Sequence, residues 1–163
     1  MNRWLLPLLM AVLVSAAGCA SHGDLTPAQS TAADVEAALG APTERRQLGA
    51  ESWLYYPKQP FGRKVLVARI APDGKLIALE QRLSEEYIAK LIPNRSSRED
   101  VLALFGQPYE RLNVPRMERD MWTWYMRQYG ILKATLNVQM SPDGVVREVY
   151  VLDDNDTRDG KKK

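Results

Sequence analysis

The chain carries one pattern twice. The segment from Thr31 to Arg45 returns from Ser97 to Arg111 at a constant separation of 66 residues, which superimposes Asp34 on Asp100, Gly40 on Gly106 and Pro42 on Pro108. Downstream, Trp53-Leu54-Tyr55-Tyr56 aligns with Trp122-Thr123-Trp124-Tyr125 at a separation of 69, and Pro72-Asp73-Gly74 with Pro142-Asp143-Gly144 at 70. The separation grows only where a loop can lengthen. Such a chain is built from two like units, whose sheets are expected in either a continuous or a face-sharing arrangement.

Each copy has a local physical reading. Thr31 and Ser97 are N-cap residues with an acid three places on, the capping-box spacing that satisfies orphan amide donors. Val35, Ala38 and Leu39 follow at helical spacing, as do Val101, Leu104 and Phe105. Gly40 and Gly106 suit a positive-φ position after a helix, and Pro42 and Pro108 stop its continuation. Leu132, Ala134, Leu136, Val138 and Met140 alternate with polar residues, the signature of a half-buried strand, and Leu66, Ala68 and Ile70 take the matching places in the first copy. The Pro-Asp-Gly triplets predict hairpin turns, followed by strands over residues 75–82 and 145–152. Ser84 to Leu91 adds a helix ahead of the second copy, with only a weak counterpart at Thr26 to Ser30. The expected fold class is α+β: two tandem repeats, each a helix or helix pair followed by a three-stranded antiparallel sheet. The expected boundaries are 31–83 for the first repeat and 84–152 for the second, with a charged tail over 153–163.

The N-terminal segment carries a different signal. Arg3, an apolar run from Trp4 to Val14, and Ser15-Ala16-Ala17-Gly18 precede Cys19, the chain's single cysteine. This is the layout of an export signal, and the run falls short of the about 20 apolar residues a membrane span needs. A plain secretory signal and a retained short anchor are the alternatives, each leaving an exposed lone thiol. Ala16-Ala17-Gly18-Cys19 resembles a bacterial lipobox, with Ala16 where Leu is more usual. That resemblance implies a signal peptide over 1–18, a covalent lipid (palmitate among its chains) on Cys19 and a lipidated tether over 19–30. Two or more acyl chains make such anchoring stable. Ala20 and Ser21 follow the cysteine without an Asp, which by the same resemblance implies the periplasmic face of the outer membrane.

The Asp-Val-x-x-x-Leu/Phe-Gly-x-Pro core of each copy, followed by a Trp/Tyr strand, resembles the SmpA/OmlA, or BamE-like, outer-membrane lipoproteins. Those are small subunits of outer-membrane β-barrel assembly, and this chain departs from them in carrying two copies. Tandem helix-and-sheet units also resemble the β-lactamase inhibitory protein fold. The first resemblance implies a non-enzymatic protein-binding module of the cell envelope, accessory to outer-membrane protein assembly or envelope integrity. The second implies an inhibitor or regulator docking on an envelope enzyme, for which the stretch from Leu112 to Met117, with Arg116 and Met117, is the candidate loop.

Catalysis finds few parts. His22, the chain's one histidine, falls in a Ser/Gly/Asp-containing tether, and no second histidine is present to complete a zinc or cysteine-nucleophile site. Asp73 and Asp143 belong to turns, and Asp153-Asp154-Asn155-Asp156 lacks the closing Glu of a calcium loop. No metal and no cofactor beyond the lipid is expected. Removing Arg3 with residues 1–18 lowers the formal charge from +2 to +1, which gives no electrostatic footprint for nucleic acid. The expected partner is an envelope protein, with the membrane reached through the lipid. Trp53, Tyr55, Trp122 and Trp124 are the candidate partner-binding aromatics, weighed against a role as core. Arg63, Lys64 and Arg69 are weighed between anionic headgroups and ordinary scattered surface charge.

Overall fold

The computed structural model describes residues 25–154. Cys19, His22, the apolar run and most of the charged tail lie outside the described residues. In chain order the elements are α1 (Ala32–Leu39), β1 (Glu44–Leu48), β2 (Glu51–Lys58), β3 (Lys64–Ile70), β4 (Leu76–Gln81), α2 (Glu85–Ile88), α3 (Arg98–Phe105), β5 (Glu110–Val114), β6 (Arg119–Gln128), β7 (Leu132–Met140) and β8 (Val146–Asp153). A short 3₁₀ turn, Pro115–Met117, joins β5 to β6.

The α+β expectation of helices on three-stranded sheets is overturned. The protein is mostly β, with two four-stranded antiparallel sheets ordered β1-β2-β3-β4 and β5-β6-β7-β8, and only short helices. The missed strands are β1 and β5, whose sequences, Glu-Arg-Arg-Gln-Leu and Glu-Arg-Leu-Asn-Val, are charged and lie at sheet edges. Charged edges are how natural sheets discourage edge-to-edge aggregation, and the same property removes the apolar alternation by which a strand is recognised. The helix expected over Ser84 to Leu91 shrinks to the four residues of α2.

Local chemistry of the repeat is realised in both halves. Thr31 and Asp34, and likewise Ser97 and Asp100, form reciprocal capping boxes, so two orphan donors are satisfied at each helix start. Each Pro-Asp-Gly turn closes with an Asp side chain accepting from the amide two residues on, at 3.1 Å for Asp73 and 3.2 Å for Asp143. The repeat also begins earlier than the aligned residues. The Ser30 hydroxyl caps the Thr26 amide at 2.9 Å and the Ser96 hydroxyl caps the Ile92 amide at 2.9 Å, while Ala28 and Asn94 both sit at φ 63°. The signal was present as Thr26-Pro27-x-x-Ser30 and Ile92-Pro93-x-x-Ser96. Each turn lies against the first residues of its own hairpin's last strand: Ala28 donates to Leu76 at 2.8 Å, and Asn94 to Val146 at 2.8 Å. Residues 25–30 of the expected tether therefore form a hydrogen-bonded turn, with Leu25 packed against the first sheet's core.

Pairing register corrects the alignment of the aromatic strands. Leu54 faces Ala68 and Tyr56 faces Leu66; in the second sheet Trp122 faces Val138 and Trp124 faces Leu136. Leu54 is thus equivalent to Trp122, a separation of 68, because the β1–β2 hairpin has a two-residue turn and the β5–β6 hairpin a four-residue one. The sequence alignment at 69 was one residue out, and a one-residue slip sends every side chain to the opposite face.

That slip explains the core. Leu54, Tyr56, Leu66, Ala68, Ile70 and Leu76 cluster under Val35 of α1 on one face of the first sheet. Tyr55, Val65 and Val67, on the other face, join Val101 and Phe105 of α3 and the Trp122, Trp124, Leu136 and Val138 face of the second sheet in one cluster. The first sheet is therefore covered on both faces, and the larger core belongs to both repeats. Gly106 sits where this joint is tightest: at φ 67° an added Cβ would stand 2.9 Å from the Tyr55 ring, whereas the equivalent Gly40 has open space.

Candidate functional site

Because the halves stack, one face of the first sheet has an equivalent on the second. Trp53, Tyr55, Val67 and Arg69 correspond through the pairing register to Met121, Thr123, Asn137 and Gln139. In the first sheet that face receives α3; in the second, among the described residues, no element covers it. Its residues form a cleft of about 460 Å³ lined by Glu110, Met121, Thr123, Tyr125, Thr135, Asn137, Leu152, Asp153 and Asp154.

The floor of the cleft is polar and internally bonded. Thr123 donates to Asn137 at 2.9 Å, and the Asn137 amide reaches the Thr135 hydroxyl at 3.0 Å. Gln139 donates to the Tyr150 hydroxyl at 3.1 Å, which in turn points at Met121 Sδ at 3.4 Å. Thr123, Asn137 and Gln139 are buried among their neighbouring side chains, with no helix or sheet over them among the described residues. Leu112 and Leu152 stand at the rim, each more than half exposed. The Tyr125 hydroxyl donates to Glu110 at 3.0 Å; burial, then that carboxylate, raise its phenol above the usual range, so it remains a neutral donor. The rim is acidic, through Glu110 and Asp153, and apolar at once. This is a surface suited to contact, with fixed hydrogen-bonding groups between apolar edges.

The candidate aromatics are placed elsewhere. Trp124 is fully buried, Tyr55 and Trp122 nearly so. Trp124 tilts against Phe105 at 5.7 Å and Trp122 at 6.3 Å, and Tyr55 donates to the Ala103 carbonyl at 2.7 Å. Burial lifts the Tyr55 hydroxyl to about 12. Trp53 is partly buried against the same core, its indole donating to Glu51 at 2.9 Å, with Arg82 stacked between it and Tyr87 at 4.6 and 4.4 Å. These rings therefore have packing partners of their own. Arg116 and Met117, by contrast, are exposed on the β5–β6 loop. Of the cations weighed for headgroups, Arg69 is committed to Glu51 through two bonds of 2.7 Å and Arg63 is buried against Asp154, while Lys64 carries no ion pair among the described residues.

Glu51 is strongly perturbed by these arrangements. Bonds from Arg69 and then Trp53 hold its carboxyl down to about 2, from an ordinary 4.5. A carboxylate stabilised in the folded state contributes stability above the unfolded range and loses it as the pH falls toward the folded value. Glu51→Gln should therefore lower the urea midpoint at neutral pH, and the gap to the parent should close between pH 4.5 and about 2. Urea titrations across that interval check it; a gap independent of pH would refute the charged contact.

Among the described residues no group of three or more His, Cys, Asp or Glu is arranged to hold a metal ion, and no helix is long and apolar enough to cross a membrane. No protein-family model matches the chain, and no curated protein matches it. Among solved structures it is similar to a DUF4309 family protein (YjgB) from Bacillus subtilis subsp. subtilis str. 168, with 18% identity over 79% of this chain and 82% of that one and a TM-score of 0.32. A likeness at that level carries no argument about fold or activity.

Proposed function

We propose that this protein is a lipid-anchored module of the outer membrane, held through Cys19 at the periplasmic face, whose work is binding an envelope protein and not catalysis. The observation that supports this reading is the open face of the second sheet. The equivalent face of the first sheet receives α3, so the stacking of the repeats leaves the matching face of the second sheet without a helix over it among the described residues. Repeat proteins close such ends with a polar cap or use them for recognition. Here the buried Thr123-Asn137 pair makes the floor polar enough to stand in water, while Leu112 and Leu152 keep apolar edges available. An outer-membrane assembly subunit is the partner that the sequence resemblance would supply.

The test is a photo-reactive residue at Leu152 in cells. It should form an adduct with one envelope protein that is lost in a Thr135→Arg background, whereas the same probe at exposed Ile92 should not. Equal adducts from both positions, or none from Leu152, would sink the reading. Mass determination of Cys19 tests the anchor separately.

A second reading has its own observation. Met117 is half exposed on a four-residue turn held by Glu118 at φ 50°, two residues longer than its counterpart Gly49-Ala50. A protruding turn of this kind suits insertion into an enzyme cleft, as the inhibitory-protein resemblance implies. Replacing Pro115–Glu118 by Gly-Ala removes the protrusion with the strand faces kept, because two residues are lost. Inhibition of an envelope enzyme that survives this change excludes the loop.

A further inference from the structure

Large apolar side chains are exposed together at one end of the molecule. Phe61 is 92% exposed on the β2–β3 hairpin tip, and Tyr129, Ile131 and Leu132 are 71%, 76% and 47% exposed on the β6–β7 tip. The two tips are neighbours. The Gln59 side-chain amide pairs with both backbone groups of Tyr125, at 2.8 Å each, standing in for a peptide group along β6. The Tyr129 amide is held by Glu85 at 2.8 Å, and Gly62, Lys64, Arg127 and Gly130 line a common cleft between the tips. Lys58, Lys64, Arg127 and Lys133 flank the apolar groups, and among the described residues none of these four forms an ion pair.

Hairpin tips that present aromatic and aliphatic groups beside four cations, with the one carboxylate between them, Glu85, engaged by the Tyr129 amide, have the composition of a bilayer contact. The apolar groups gain by leaving water at the acyl boundary, the Tyr ring suits the headgroup region, and each cation near an anionic leaflet adds attraction. A protein partner for the same patch would meet four cations that it had to neutralise. We propose that these two tips insert shallowly into an anionic bilayer surface. This rests on the anchored reading for its geometry alone. The first described residues hydrogen-bond near Leu76, at the end of β3 remote from Phe61, about 20 Å along that strand from the tips. Embedded tips would bring the β2–β3 and β6–β7 ends of the two sheets to the membrane and so fix which way the open face of the second sheet looks.

The experiment uses the full-length protein isolated from membranes, with Phe61→Cys or Ile131→Cys carrying a polarity-sensitive fluorophore, mixed with vesicles of phosphatidylcholine alone or with phosphatidylserine. Both positions are so exposed that labelling leaves the fold intact. Both probes should shift to the blue and become quenchable by brominated acyl chains on the phosphatidylserine vesicles. High salt should reverse part of the shift, Phe61→Asp should abolish it at position 131, and a probe at Leu112→Cys should not respond. Probes at 61 and 131 that stay as solvated as in buffer while the protein floats with the vesicles overturn the proposal. So does a shift that occurs without vesicles and scales with protein concentration, which would assign the patch to a second copy. Mass analysis of Cys19 in the same sample scores the anchor separately. Absent acylation with embedded tips overturns the anchor alone, and acylation with solvated tips overturns the tips alone.

Discussion

Trp124→Ala should cost about 3–5 kcal/mol of folding stability, a large share of the about 5–15 kcal/mol typical of a domain. Trp124 has no solvent exposure, packs against Phe105 and Trp122, and donates its indole N–H to the Gln107 carbonyl at 3.1 Å. Truncation removes the largest fully buried side chain and opens a cavity between α3 and β6, which flanking groups from both repeats can only partly fill. The same core holds Tyr55, Val65 and Val67 of the first sheet, so the loss should be felt by the whole molecule and not by one half. Denaturant unfolding followed by fluorescence and by far-ultraviolet circular dichroism should give one coincident transition, displaced to lower denaturant. Trp124→Phe should recover much of the stability, since a ring remains to pack on Phe105. A Trp124→Ala protein that unfolds at the parent's midpoint but loses a partner would assign this residue to binding and contradict the buried placement.

The places where sequence and structure part company share a physical origin. Caps, helix ends and turns were legible because each depends on a few adjacent residues: Thr31 with Asp34, Gly40 before Pro42, Pro72-Asp73-Gly74. The outermost strands were not, because β1 and β5 carry the charges that protect a sheet edge and so lose the alternation of a buried strand. The register of the aromatic strands failed for another reason. Identity of letters favoured Trp53 on Trp122, whereas hairpin lengths, invisible until the pairing is known, set Leu54 on Trp122. The functional consequence is direct. Had Trp53 and Trp122 been equivalent, the aromatic faces would have looked the same way along the stack, leaving one of them open. With the true register they converge on the shared core, and the open face carries Thr123, Tyr125, Thr135 and Asn137 instead. No residue pattern within one copy could mark that face, since its place depends on how the second repeat stacks on the first. The exposed tips were equally hidden: Phe61 and Ile131 are ordinary apolar letters until neighbouring hairpins place them together.

Arg63→Met should destabilise the fold by about 3–5 kcal/mol, and the double change Arg63→Met with Asp154→Leu should recover most of that loss. Arg63 comes from the first sheet's β2–β3 hairpin and is buried, yet its partners belong to the second repeat. It pairs with the Asp154 carboxylate, donates to the Ala134 carbonyl at 3.3 Å, and lies 5.2 Å from the centre of the Tyr125 ring. Removing the cation alone takes from Asp154, whose side chain is 9% exposed, its charge-assisted contact with the first repeat, and takes from the Ala134 carbonyl a donor. Removing both charges replaces an ion pair by apolar contact, which buried sites tolerate well because the desolvation of two ions is avoided. A double-mutant cycle measured by urea unfolding should therefore return a coupling of at least about 2–3 kcal/mol. Additive losses would show that each side chain is held by its other contacts and that the pair does not join the repeats. The location gives the cycle a second use. Arg63 lies between the apolar tips and the Tyr125 end of the open face, so a double variant that keeps its stability but lets the tips move would separate rigidity from affinity. In that protein the bilayer probe at Phe61→Cys should still respond, while adducts from Leu152 fall if the orientation of the open face depends on tips and sheet moving as one body.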